Sequence, residues 1–152
     1  MKVIYAQEDI SIEGKSVFLA GPTPRGKHVE SWRPEAIKLF RTFKFDGTLL
    51  IPEMKGGFAD NFEYSDQIEW EEEGMNKSDL VMFWIPRKIG TMPAFTTNIE
   101  FGYWLAKDIL KIMLGIPPTA EKMRYIKYYA GKVNIKYEKS LIRLVSSTIK
   151  RL

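Results

Sequence analysis

A carboxylate in the second half of the chain gives the strongest indication of chemistry. Glu100 follows a buried apolar run at 80–86 and a short loop, and it stands in the first turn of a helix predicted over 97–107. In open α/β sheets, ligands bind just past the carboxyl ends of the strands. Glu100 is therefore a candidate catalytic residue at such a place.

A structural interpretation of Glu100 stays open. Thr97 and Glu100 have the spacing of a capping box, in which the glutamate bonds back to the first amide of the helix. Such a cap contributes about 1 kcal/mol, and capping alone would explain the residue. Gly102 leaves room beside the helix, which favours a ligand instead. Four neighbouring aromatic side chains could stack on a planar ligand: Phe95, Phe101, Tyr103 and Trp104.

Two further acidic residues have positions that could matter. Tyr64, Ile68 and Met75 form the predicted inward stripe of an acidic helix. Glu71 stands three residues after Ile68 and four before Met75, which places it near that stripe. A carboxylate there would be desolvated or paired, although a solvated acidic face is the competing interpretation. Asp79 lies at a helix-to-strand junction, where an aspartate commonly satisfies turn amides.

The loop at 21–28 combines glycines with Arg25, Lys27 and His28 and leads into a helix. Free N–H groups and a helix N-terminus could hold an anion there. The loop lacks the GxGxxG and GxxxxGK[ST] spacings, so neither a dinucleotide nor a triphosphate site is indicated. A proline-rich turn with solvated charges is the alternative.

Apolar runs that suit strands alternate with segments of helical period along the chain. Strands are predicted at 16–20, 48–52, from 79, at 109–115 and, weakly, at 133–135; helices are predicted at 31–43, 64–78, 97–107, 119–130 and 138–150. This alternation predicts one α/β domain over 1–152. Its architecture is a three-layer, doubly wound, parallel five-stranded sheet of flavodoxin-like or Rossmann-like type.

Composition excludes several classes of protein. The 152 residues include no cysteine and one histidine, so disulfides, thiolate metal sites and histidine-rich metal clusters are excluded, and no cofactor is expected. The net charge is +4, but the basic residues are dispersed and an acidic stretch at 69–73 interrupts them, which argues against a nucleic-acid partner. No run resembles a signal peptide or a membrane span, so a soluble, cytoplasmic protein is expected.

Five blocks of sequence together resemble the nucleoside 2-deoxyribosyltransferase-like group, over roughly residues 16–115. Their order and spacing make the resemblance more specific than any one motif. The blocks are Val17 to Arg25, Ser31 to Ala36, Gln67 to Glu71, Asp79 to Arg87, and Thr96 to Gly102.

The resemblance implies a role for several residues. Glu100 corresponds to the family nucleophile that attacks C1′ of the sugar, and Glu71, eight positions before Asp79, corresponds to an acidic residue that contacts substrate. The end of the first strand corresponds to a nucleobase-binding wall. The substrate-binding candidates are Phe18, Ala20, Gly21, Pro22, Arg25, Asp79 and Asn98. Ala94 departs from the family, whose best-known branch carries there an aspartate that helps to protonate the base.

The function expected from this resemblance is transfer of a sugar from a nucleoside to a free nucleobase through a glycosyl-glutamate intermediate. One alternative is a nucleoside 5′-monophosphate N-glycosidase, with Arg25 and Lys27 on the phosphate. Another is a non-catalytic nucleotide-binding module in which Glu100 only caps its helix. The resemblance also implies a homo-oligomer whose neighbouring subunit closes the sugar pocket. An exposed-looking cluster of Tyr125, Tyr128 and Tyr129 fits either an interface or packing within the chain.

Overall fold

The computed structural model of the protein describes residues 1–26, 28–55 and 63–152. Its strands are β1 (Lys2–Tyr5), β2 (Lys15–Ala20), β3 (Gly47–Ile51), β4 (Leu80–Trp84), β5 (Ile112–Gly115) and β6 (Tyr137–Glu138). Its helices are α1 (Arg33–Thr42), α2 (Tyr64–Lys77), α3 (Phe95–Lys107), α4 (Arg124–Lys132) and α5 (Leu141–Arg151), and a short 3-10 helix covers Ile109–Lys111.

The six strands of the described residues form one parallel sheet in the order β1-β3-β2-β4-β5-β6. The order from β3 to β6 is the flavodoxin-like one, which confirms the predicted fold class. The expectation of five strands was wrong by one, because β1 adds to the edge beside β3. It is short, begins at Lys2 and precedes polar residues, so its sequence carries only a weak strand signal.

Helices cover both faces of the sheet. On one face, α1 and α5 pack through Ala36, Phe40, Leu144 and Val145. On the other face, α2, α3 and α4 contribute Trp70, Met75, Phe101, Trp104 and Ile126. The central strands β3 and β4 are buried along their whole length, which explains their continuous apolar sequences.

The structure corrects the boundaries in the last third of the chain. Helix α4 begins at Arg124 rather than 119, and the strand expected at 133–135 lies at Tyr137–Glu138. Lys122 and Asn134 have φ of 53° and 60°, and these left-handed residues bracket α4 on either side. Left-handed backbone interrupts a helix, so it sets limits that apolar periodicity does not reveal.

The inward stripe expected for α2 was wrong for two of its three residues, Tyr64 and Ile68, and was confirmed for Met75. Tyr64 and Ile68 are 64% and 49% exposed, and the helix packs instead through Trp70, Gly74 and Met75. Gly74 makes this packing close, because a Cβ there would lie 2.9 Å from the Phe18 ring. The inward face is thereby rotated toward the side on which Glu71 lies, partly buried.

Candidate functional site

A cavity of about 240 Å³ opens at the carboxyl edge of the sheet, where β2 and β4 end. From β2 the chain goes first to β3 on one side and then returns to β4 on the other, so this is the point at which the strand order reverses. Ligands bind at such points in doubly wound folds. Seven of the nine predicted site residues line the cavity: Phe18, Ala20, Gly21, Pro22, Arg25, Glu71 and Glu100.

The two carboxylates reach the cavity from neighbouring helices, Glu71 from α2 and Glu100 from α3. Burial raises the pKa of Glu100 to about 7, and the nearby Glu71 charge adds to this, while Arg33 opposes it. Burial also raises the pKa of Glu71, against the opposing effects of a hydrogen bond from Gln67 and of the Arg33 charge. The cavity therefore holds two coupled acids, an arrangement typical of proton-transfer and nucleophilic sites.

One oxygen of Glu71 has a defined partner. Gln67, one turn earlier on α2, donates from Nε2 to Glu71 Oε1 at 2.6 Å. This donor stabilises the ionised form and orients the carboxylate toward the cavity. Gln67 is a residue that sequence reasoning did not single out, although its spacing of four from Glu71 is the one at which helix side chains meet.

The predicted capping box was wrong. Helix α3 begins at Phe95, and Ala94 stands at its N-cap position without a side-chain cap. Thr97 is 1% exposed inside the helix, and Glu100 lies past the first turn. Glu100 is thus not used as a capping group and faces the cavity.

Ala94 itself has an uncommon conformation for its residue type. Its φ of 60° and ψ of 40° lie in the left-handed region, and it lines the cavity with 5% of its surface exposed. Alanine is rarely found there, whereas Gly, Asn and Asp adopt this region more readily. The strained backbone of Ala94 therefore lies at the cavity, and strained residues often cluster at functional sites.

The aromatic neighbourhood of Glu100 is mostly not available to a ligand. Phe101 and Trp104 are buried in the core, and Tyr103 lies outside the cavity lining. Phe95 lines the cavity and is exposed, so it can stack on a planar group. Gly102 faces open space, since no atom lies within 4 Å of a Cβ built there.

Gly21 directly follows β2 and lets the first wall of the cavity come close to the end of β4. Its φ is 146°, and a Cβ there would lie 2.2 Å from the carbonyl oxygen of Trp84. Both the backbone conformation and the space require glycine.

The change Gly21→Ala is expected to lower the free energy of unfolding by at least about 2 kcal/mol, because strain and a backbone clash add. Gly102→Ala is the matched control and should gain roughly 1 kcal/mol, as alanine favours the helix interior. Urea unfolding followed by circular dichroism measures both. A Gly21→Ala protein as stable as the parent would contradict the close approach to Trp84.

Asp79 and Asn98, the other two predicted binding residues, lie outside the cavity lining, and their binding roles stay predictions. Asp79 precedes β4 at the opposite edge of the sheet, where its Oδ2 accepts hydrogen bonds from the amide and hydroxyl of Ser16 at 2.8 Å. Asn98 accepts from the buried Arg87, which also donates to the carbonyl of Lys122 at 3.1 Å. Both residues therefore join separate elements, and Asp79 accepts from an amide of strand β2 rather than from a turn amide.

A buried arginine at the cavity is a feature that sequence reasoning did not identify. Arg33, at the start of α1, is 1% exposed and lines the cavity. A charged residue at the start of a helix is normally exposed to solvent, so the sequence alone does not indicate that Arg33 is buried. Only its place in the block Ser31 to Ala36 pointed to this segment.

The loop after β2 presents a cation at the mouth of the cavity. Arg25 is exposed, its amide donates to the carbonyl of Thr91 at 2.7 Å, and its guanidinium lies 5.3 Å from the centre of the Phe95 ring. His28 is exposed, and Lys27 lies outside the described residues. In the described ranges, no group of three His, Asp or Glu side chains could hold a metal ion.

A family model described as "Nucleoside 2-deoxyribosyltransferase like" matches residues 14–118. The chain belongs to this nucleoside 2-deoxyribosyltransferase-like family. The matched range contains every strand and helix that lines the cavity. Membership in the family indicates a glycosyltransferase-type enzyme that acts on small nucleosides or nucleobases.

A search of curated protein sequences gave no match to this member of the nucleoside 2-deoxyribosyltransferase-like family. None of the helices in the described ranges is long and apolar enough to cross a bilayer.

Proposed function

We propose that the protein cleaves the N-glycosidic bond of a nucleoside or deoxynucleoside and transfers the sugar to another nucleobase. The observation that carries the proposal is the pair of partly buried carboxylates, Glu71 and Glu100, in one cavity at the strand-order reversal of a family member. Phe18, Ala20, Gly21 and Pro22 form one wall of that cavity, which suits a flat base.

In the proposed first step, a carboxylate oxygen of Glu100 bonds to C1′ while the bond from C1′ to the base nitrogen breaks. The bonding electrons pass to the base, which takes up a proton. Glu71 is the candidate acid for that proton, or else it binds the sugar or base. In the second step, a nitrogen of the incoming base attacks C1′, the ester bond breaks and that nitrogen loses a proton. Two displacements retain the configuration at C1′.

The test is an exchange reaction. A purine deoxynucleoside is incubated with free cytosine, and the products are followed by chromatography. Wild-type protein should form deoxycytidine and free purine, whereas Glu100→Ala should form neither above background. Retention of full exchange activity by Glu100→Ala would contradict the proposal, and tight nucleoside binding without turnover would favour the non-catalytic alternative.

A second candidate function is hydrolysis of a nucleoside 5′-monophosphate. Arg25 supports it, because this exposed cation lines the cavity and no carboxylate of the described residues lies within ion-pair distance of it. An arginine at a cavity mouth can bind a phosphate through two parallel hydrogen bonds.

Arg25→Ala separates the two candidates. If the substrate is a nucleotide, KM should rise by about tenfold or more, since a charged hydrogen bond contributes roughly 1.5–3 kcal/mol. If the substrate is a nucleoside, KM should change little. Release of free sugar phosphate without added base measures the hydrolytic reaction, and Lys38→Ala, on the exposed face of α1, is the control.

We also propose that a second copy of the chain covers the mouth of the cavity. Five apolar side chains are exposed on α2 and α3, the two helices that carry Glu71 and Glu100: Tyr64, Ile68, Phe95, Ile99 and Tyr103. Tyr64 and Phe95 belong to the cavity lining as well, so the apolar surface continues into the site. The exposed Tyr125, Tyr128 and Tyr129 cluster on α4 is a second apolar surface.

The predicted cytoplasmic location stays a prediction.

Ile99 is the most exposed residue of this surface, at 74%. Ile99→Glu is expected to convert an oligomer to a monomer, because a charge at the centre of an apolar interface is desolvated without a partner. Light scattering after size-exclusion chromatography measures the mass. A monomeric wild-type protein would contradict the interface, and Tyr125→Glu tests the α4 surface in the same way.

A further inference from the structure

Arg33 has an unusually complete set of partners for a buried cation. Its Nε donates to the carbonyl of Leu19 at 3.1 Å and its Nη2 to the carbonyl of Gly21 at 2.7 Å. Its Nη1 donates to Thr23 Oγ1 at 3.2 Å and to Glu53 Oε1 at 2.6 Å. The guanidinium therefore makes four hydrogen bonds to two segments of the chain, residues 19–23 and Glu53.

These partners belong to the parts of the fold that shape the cavity. Leu19 is in β2, and Gly21 and Thr23 lie in the loop that follows it and line the cavity. Glu53 follows β3, and the Ser31 hydroxyl donates to the same Glu53 oxygen at 2.8 Å. Arg33 thus joins the ends of two adjacent strands to the start of α1. A planar guanidinium fork can do this, and an ammonium group cannot.

The positive charge of Arg33 also lies beside the two carboxylates. The charged groups that line the cavity are Arg33 on α1, Glu71 on α2, Glu100 on α3 and Arg25 in the loop. Arg33 acts on the pKa of both Glu71 and Glu100, in the lowering direction in each case. Because four of its five N–H groups are already directed to protein acceptors, we infer that Arg33 acts on the reaction mainly through its neighbours.

We propose that Arg33 is a positioning residue of the glycosyl-transfer site, which holds the wall at 21–23 against the two carboxylates and supplies the positive charge beside them. The catalytic part of this inference rests on the proposed function. The electrostatic part concerns the folded protein alone and can be tested without turnover.

Three variants separate the hydrogen-bonding geometry of the Arg33 guanidinium fork from its positive charge. Arg33→Lys keeps the charge and loses most of the fork, Arg33→Met loses both, and Glu53→Gln keeps the hydrogen-bond acceptor and removes the opposing negative charge. Arg41→Met, an exposed arginine of the same helix, is the matched control. Thermal unfolding establishes which variants fold.

The first measurement is an NMR titration of the Glu100 side-chain carboxyl carbon, assigned with Glu100→Gln. Arg33→Met should move the Glu100 midpoint to higher pH, Arg33→Lys should leave it near the wild-type value, and Glu53→Gln should move it to lower pH. A purely structural role would not give opposite shifts in two variants of one ion pair. Equal Glu100 midpoints in all variants would overturn the electrostatic part of the proposal. If Arg33→Met does not fold, the Glu53→Gln midpoint alone decides it: a shift to lower pH supports the electrostatic part, and no shift overturns it.

The second measurement is kcat and KM in the exchange reaction. Arg33→Lys should lose about 10- to 100-fold in kcat, the size expected for a misplaced site wall, while Arg41→Met keeps the wild-type rate. A kcat of Arg33→Lys equal to that of Arg41→Met would overturn the positioning role. Absence of all exchange by wild-type protein would instead contradict the proposed function, and the titration would still decide the charge.

Discussion

The rate of sugar transfer is expected to rise about tenfold for each pH unit up to about pH 7, so that the rate at pH 5 is about a hundredth of the rate at pH 8. The nucleophile must be ionised, and burial together with the charge of Glu71 raises the pKa of Glu100 to about 7. Below that pH, most molecules carry a proton on the attacking oxygen.

Glu71→Gln tests the origin of this profile. Removal of the neighbouring negative charge should lower the pKa of Glu100, and the rising limb should therefore move to lower pH. Initial rates at saturating nucleoside over pH 4.5–9 measure both profiles. A second, falling limb in the wild-type protein that is absent from Glu71→Gln would assign the leaving-group proton to Glu71. A wild-type rate that is highest at pH 5 would contradict Glu100 as the nucleophile.

Glu100→Gln is expected to stabilise the protein at pH 8 by up to roughly 3 kcal/mol, as the rise in pKa from 4.5 to about 7 implies. Because this pKa is higher in the folded state, the folded protein holds the proton more tightly between these pH values. Stability therefore falls as the pH rises through that interval. Glutamine has nearly the same shape and removes the charge.

Urea unfolding at pH 8 and at pH 4 measures the effect. The gain should be present at pH 8 and nearly absent at pH 4, where the carboxyl is mostly protonated in both states. Glu72→Gln, at an exposed position one residue after Glu71, should change stability by less than about 0.5 kcal/mol at either pH. A Glu100→Gln protein that is less stable than wild type at pH 8 would contradict the conclusion that burial of the Glu100 carboxylate destabilises the folded protein.

The main features of the fold could be predicted because long apolar runs and helical periods alternate along the chain. β1 was missed because its apolar run, Val3 to Ala6, is too short to show a period and is followed directly by polar residues. The rotation of α2 was missed because Gly74, which permits the close packing, counts as neutral in a hydrophobic pattern. Glu71 was found through its spacing to Asp79 in the family, while the stripe from which it was also argued was wrong for two of its three residues.

Part of the site could be predicted because the topology of a parallel sheet places the loops that follow its strands at one edge. Residues in the loop that follows a strand, such as Gly21 and Arg25 after β2, could be placed at the carboxyl edge by topology alone. Arg33 could not, because its burial depends on acceptors contributed by two segments distant from it in sequence, the end of β2 with its loop and the residue Glu53 after β3. The capping box failed because the N-cap of α3 is Ala94, with left-handed backbone, three residues before the Thr97 that the motif predicts. Backbone conformations of this kind are set by tertiary contacts.

The left-handed Ala94 also bears on how substrate preference could diverge among related proteins. Helix α3 starts without a side-chain cap, so the side chain at 94 does not hold the helix that carries Glu100. Asn, Asp and Gly suit its backbone at least as well as alanine does. Position 94 can therefore change what lines the cavity while Glu100 keeps its place, and selection can act on the two independently.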